Sequence, residues 1–95
     1  MATDLTVSGW LSIPSAEQAL LLPLLDEHIQ LTRAETGCLA FNIMRSAQDP
    51  ERFEIAERFR DREAFEAHRL RTAASRWGLA TRHIPRHVRI SEGDP

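Results

Sequence analysis

Two side chains in this sequence combine useful chemistry with unusual company. Glu57 falls in the alternating stretch Phe53-Glu54-Ile55-Ala56-Glu57-Arg58-Phe59, where it shares one side of an extended chain with Phe53, Ile55 and Phe59. His68 follows in a stretch whose period changes to that of a helix, so that Ala64, Phe65 and His68 share a face. Burial raises a carboxyl pKa unless a cation or backbone donors hold its charge. An imidazole already titrates near neutral pH. Together the two supply what general acid–base chemistry needs. Each also has a structural reading, Glu57 paired with an arginine and His68 as a satisfied core histidine, and the sequence leaves both readings open.

The other reactive residue types point less far. His28 reads as a boundary histidine with one wet edge, and Cys38 as a small packing residue with nothing nearby in sequence to make it a thiolate. Pro85 keeps His83 and His87 from forming a helical i, i+4 pair, so no metal site is expected.

The elements that must position these groups follow from periodicity. A first strand is expected over 5–13, with Val7, Leu11 and Ile13 on one side and Thr6, Ser8, Trp10 and Ser12 on the other. Pro14-Ser15 opens a helix that Ser15 can cap and Gln18 can reach back to. Leu22, Leu25 and Ile29 form its apolar stripe, with Leu21 and His28 beside it, Pro23 as an expected kink and Gly37 as a left-handed stop. A second strand over 38–45 sets Leu39, Phe41 and Ile43 against Cys38, Ala40, Asn42 and Met44. Neither side is properly polar, so both should be covered, one by helices and the other by a second copy of the chain. Asp49-Pro50 turns the chain into the strand that carries Glu57. Asp61 caps a helix running from Arg62 to about Trp77 and ended by Gly78, and an edge strand closes the chain over 86–91.

The order strand, helix, strand, strand, helix, strand is the α+β ferredoxin-like βαββαβ arrangement: a four-stranded antiparallel sheet with two helices on one face. At 95 residues the chain is one domain. No apolar run approaches the ~20 residues that span a bilayer, and the N-terminus resembles no export signal. The net charge of −2 gives nucleic acid no general attraction. The lone Cys38 fits a reducing compartment, so the expected location is the cytoplasm, with no membrane and no nucleic-acid partner.

Glu35-Thr36-Gly37-Cys38-Leu39-Ala40-Phe41, then Asp49-Pro50 with Phe53, Ile55, Glu57 and Phe59, then Asp61, Glu63, Ala64 and His68, resemble the antibiotic biosynthesis monooxygenase family. Its usual pattern is a Glu-Pro-Gly-Cys-Leu-x-Tyr segment followed by Phe-x-x-x-Glu-x-Trp-x-Asp-x-x-Ala-x-x-x-His. Here Thr36 stands for the usual Pro, Phe41 for Tyr and Phe59 for Trp, and the common second His about four residues after the first is absent.

The resemblance implies a dimeric α+β barrel, a homodimer formed through the sheet face, with a pocket in each subunit. It implies cofactor-independent oxidation of a small electron-rich aromatic, quinol- or anthrone-like, by dioxygen, with no metal or flavin. In such a reaction a base removes a proton, the substrate anion passes an electron to dioxygen, and the resulting peroxide loses water. His68 is then the expected base and Glu57 its orienting group or a second base. Trp10 and Asn42 are candidate donors, and Phe41, Phe59, Phe65 and Trp77 would sandwich a flat substrate. Two other readings stand beside this one: a ligand-binding or dimerisation module without catalysis, and a haem-binding or haem-degrading protein.

Overall fold

The computed structural model describes residues 4–93. Its elements are β1 (Leu5–Ser12), α1 (Ser15–Arg33), β2 (Cys38–Arg45), β3 (Arg52–Phe59), α2 (Arg62–Ala74), a short α3 (Arg76–Ala80) and β4 (Arg86–Glu92). The strands pair antiparallel in the order β2-β3-β1-β4, the ferredoxin-like α+β topology expected from the sequence.

The period-2 pattern of the two central strands decides which face is buried. Leu5, Val7 and Leu11 of β1 and Phe53, Ile55, Glu57 and Phe59 of β3 all turn inward, whereas Thr6, Ser8 and Ser12 face out. The apolar core forms two clusters. One gathers Leu11, Ile13, Leu21, Leu25, Phe53, Ile55, Trp77 and Ile84. The other gathers Leu5, Val7, Phe41, Phe59 and Phe65. The buried polar residues are His28, Thr32, Glu57 and His68. His28 touches Phe41 of one cluster and Trp77 of the other, so a polar seam joins the two. Burying four such groups is costly unless they are paired, which marks the seam as the place where function competes with packing.

Three local expectations need correction, each for a physical reason. The buried stripe of α1 is Leu21, Leu25, His28 and Thr32, one position round from the expected Leu22, Leu25 and Ile29, and this turns His28 fully into the core. Pro14, not Ser15, precedes the first turn and has no side-chain acceptor. Glu51 takes the donor instead, its Oε2 accepting from the Ser15 N–H at 2.7 Å, while Gln18 reaches back to the Ile13 carbonyl at 2.9 Å. α1 is a single helix that includes Pro23, which lies on its exposed side. In β2 a register shift between Cys38 and Ala40 inserts an extra residue. It turns Cys38 toward the Phe59 cluster and Leu39 out, 48% exposed.

The glycines also act by close approach instead of by termination. Gly37 is not left-handed; a Cβ there would collide with the Ala64 methyl of α2. Gly78 lies inside α3, not beyond the end of α2. The helical path breaks at Ser75, whose hydroxyl caps α3 by accepting from the Gly78 N–H at 3.0 Å. A Cβ on Gly78 would collide with the Thr72 carbonyl oxygen. Alanine at this helical site gains about 1 kcal/mol in propensity, but overpacking against backbone costs roughly 1–3 kcal/mol. Gly78→Ala is therefore expected to lower the urea midpoint. An unchanged or raised midpoint would contradict the close contact.

Candidate active site

α2 begins as its sequence indicates. Asp61 Oδ1 accepts from the Ala64 N–H at 2.8 Å, and the helix then presents Phe65 and His68 to the sheet. The His68 ring is buried between Phe59, at 4.9 Å between centroids, and Phe41, at 5.5 Å. Its Nδ1 lies 3.1 Å from Glu35 Oε1, and its Nε2 lies 3.4 Å from Thr72 Oγ1. A carboxylate on Nδ1 fixes that nitrogen as the N–H, leaving the Nε2 lone pair as the basic site.

Glu35 is itself held. The Arg71 Nε donates to its Oε2, and Arg71 Nη2 donates to Thr32 Oγ1 at 2.9 Å. Thr32 in turn donates to the His28 carbonyl at 2.7 Å. A line of contacts thus runs from the imidazole across the loop after α1 and back into that helix. Burial pushes the His68 pKa below its ordinary value, while the Glu35 carboxylate pulls it back up. The imidazole is neutral at neutral pH, the state a base requires. Removing the Glu35 charge takes away the upward pull, so Glu35→Gln is expected to lower the His68 pKa further. NMR titration of the His68 ring proton reads this directly, and a pKa that rises would contradict the assignment of Glu35 as its partner.

A cavity of about 360 Å³ opens beside the ring. Leu11, Trp77 and Ile84 make its apolar wall, and His68 and Thr72 its polar end. Arg69, Arg82 and Arg86 are also among the residues that line it, Arg69 and Arg82 at its solvent-exposed side. A second hollow, lined by Glu35, Gly37, Arg60, Ala64 and Arg71, meets His68 from the other side. The neighbour of Nε2 thus lines one space and the neighbour of Nδ1 the other.

Of the residues singled out from the sequence, His68 and Trp77 line the first cavity. Phe41 and Phe59 support the imidazole from the sheet, and Phe65 packs on Phe59 at 5.6 Å. Glu57 is fully buried on β3 between Phe41 and Val7 of the flanking strands, and does not line the cavity. Its Oε2 accepts from Arg86 Nη2 at 2.7 Å, its Oε1 has no partner, and burial raises its pKa against the pull of that guanidinium. Among the described residues no hydrogen bond joins it to His68; Glu35 takes the orienting place expected of Glu57. Trp10 and Asn42 lie outside the chamber, because their strand parity turns them to the outer face. Trp10 stacks on His87 at 4.1 Å under the Arg52 guanidinium at 4.4 Å, and Asn42 accepts from Arg33 at 3.1 Å.

His28 is a further group that sequence reasoning placed wrongly. It is buried, its Nδ1 has no partner, and its ring lies 5.7 Å from His68 and 6.0 Å from Trp77. Burial, with the nearby cationic groups, holds its pKa down to about 3. Its i, i+4 and i, i+3 spacing from Leu21 through Leu25 was the available signal. No three His, Cys, Asp or Glu among the described residues gather as a metal-binding group. His83 instead pairs with Glu17 at 2.6 Å.

The model of the antibiotic biosynthesis monooxygenase family matches residues 5–77, spanning β1 through the cavity residue Trp77. The chain belongs to that family. No curated protein sequence matches it significantly. Solved structures do: Rv0793 from Mycobacterium tuberculosis shares 27% identity over 97% of this chain and 94% of its own, with a TM-score of 0.69. A structure described as an antibiotic biosynthesis monooxygenase shares 26% identity over 96% and 97%, with a TM-score of 0.73. A Nitrosomonas europaea protein, provisionally named an antibiotic biosynthesis monooxygenase, superposes with a TM-score of 0.76 at 21% identity over 98% and 92%, a likeness of fold alone. The matched span takes in β1 through α2 and includes the Glu35 to His68 segment. No helix in the described chain is long and apolar enough to cross a membrane.

Proposed function

We propose that this protein is a cofactor-independent monooxygenase that oxidises a small electron-rich aromatic, quinol- or anthrone-like, with dioxygen, and that His68 is its base. The observation that carries this reading is one buried imidazole, held through Nδ1 by Glu35, beside a cavity walled by Trp77, Leu11 and Ile84.

For an anthrone-type substrate the steps balance without a reductant. Nε2 of His68 takes a proton from the activated CH₂, leaving a carbanion. That anion passes one electron to dioxygen, and the radical and superoxide recombine into a C–O bond. The imidazolium returns its proton to the peroxide anion, and the hydroperoxide loses water to give a ketone. One oxygen atom enters the product and the other leaves as water. Glu35 supports the transient imidazolium. The low-dielectric wall favours electron transfer from an anion stripped of water.

The working unit in this proposal is a homodimer joined through the outer sheet face. Leu39 and Met44 stand exposed there, at 48% and 66%, beside a half-buried Trp10, small side chains and the charged Glu54 and Arg58. Oxygen-electrode assays with menadiol and with anthrone test the reading, with faster uptake than autoxidation as the expected result. No acceleration of either substrate would contradict it. A Soret shift on adding haem, without turnover of either, would favour haem binding instead.

A further inference from the structure

We infer that the cavity takes an anionic aromatic, one whose ring carries a carboxylate, with Arg82 as the group that recognises the charge. The inference rests on the cavity being the substrate site. Arg69, Arg82 and Arg86 all line this one space, and two of them are already matched. Arg86 donates to Glu57 at 2.7 Å and Arg69 to Glu66 at 2.8 Å. Arg82 makes no ion pair among the described residues. Arg86 and Arg69 each have a carboxylate partner, Glu66 being shared with Arg62, whereas Arg82 has none, so the wall carries an excess of positive charge beside apolar side chains and neutral polar groups.

That arrangement suits a two-ended ligand. An apolar ring system packs along Trp77, Leu11 and Ile84, its reacting end meets His68, and a carboxylate meets the planar guanidinium, which is built for such a partner. The volume of about 360 Å³ lies at the small end of the ~300–1,000 Å³ usual for small-molecule sites, matching a bicyclic or tricyclic ring better than a larger one. A neutral quinol would leave Arg82 solvated and gain nothing from it. The carboxylated form adds a charge-assisted contact, and exclusion of water by the ring strengthens it.

The test is calorimetric titration of two probes, 2-naphthol and 6-hydroxy-2-naphthoate, whose hydroxyl and carboxylate stand at opposite ends of the ring system, into the wild type and an Arg82→Gln variant. The acid is expected to bind the wild type at least about tenfold more tightly than the naphthol, as one charge-assisted hydrogen bond supplies. In Arg82→Gln the two should fall within about twofold of one another, with naphthol affinity unchanged. Equal affinities in the wild type, or a preference that survives in Arg82→Gln, would overturn the inference while leaving the cavity as a site for neutral aromatics. If neither probe binds, the cavity is not the substrate site, and both this inference and the proposed function fail.

Discussion

A His68→Gln variant is expected to lose about a hundred- to ten-thousand-fold in the rate of substrate oxidation while remaining folded, the span usual for removal of a positioned base. Glutamine keeps a polar side chain of similar length between Phe59 and Phe41 but offers no basic nitrogen. The chemistry depends on making the substrate anion, because only an electron-rich anion readily gives an electron to dioxygen. The loss should therefore appear in kcat, with naphthol binding kept, since Trp77, Leu11 and Ile84 remain. The wild-type rate should hold to a more acidic pH than a free imidazole would allow, because burial lowers the His68 pKa. A loss below about tenfold would show that the substrate ionises without His68.

The second large effect concerns stability. Replacing His28 by phenylalanine is expected to make the fold markedly less sensitive to acid. His28 titrates at about 3 in the native protein against 6.5 when unperturbed. Between those values the unfolded chain binds a proton that the native state refuses, so stability is full above about pH 6.5 and is lost as the pH falls. The slope for one such group is about 1.4 kcal/mol per pH unit. Glu57 acts in the opposite sense, because its raised pKa makes the native state the better proton binder above 4.5. Comparison of wild type with His28→Phe cancels that contribution. From pH 7 to pH 4 the wild type should lose about 3 kcal/mol more than the variant in urea unfolding. Parallel curves would show that His28 is not buried neutral.

The element order was readable because β1 and β3 alternate cleanly and Asp61 marks the start of α2. The face of α1 was not. Leu21 and Leu22 are both apolar, so the stripe could be drawn through either, and only packing against Phe41 and Trp77 selects the face that buries His28. The extra residue in β2 leaves no mark in a segment where Cys38, Leu39, Ala40 and Phe41 are all apolar. Trp10 and Asn42, expected as donors, both fall outside the chamber, since only packing of the helices shows which sheet face is enclosed.

The carboxylate that serves His68 illustrates the limit best. Glu57 drew notice because its neighbours along the strand are aromatic, yet Arg86 claims it. Glu35 sits in the loop after α1 and meets His68 across 33 positions of sequence. Local periodicity carries no information about such a contact. The same holds for the three arginines of the cavity, which come from α2, the loop after α3 and β4.

The most direct test of the central claim is a crystal structure of the protein with 2-naphthol bound. The ring is expected against Trp77, with its hydroxyl within about 3.2 Å of His68 Nε2, the reach of a proton-accepting contact. A naphthol seated on the outer face beside Trp10, or in the cavity with its hydroxyl turned away from the imidazole, would contradict it.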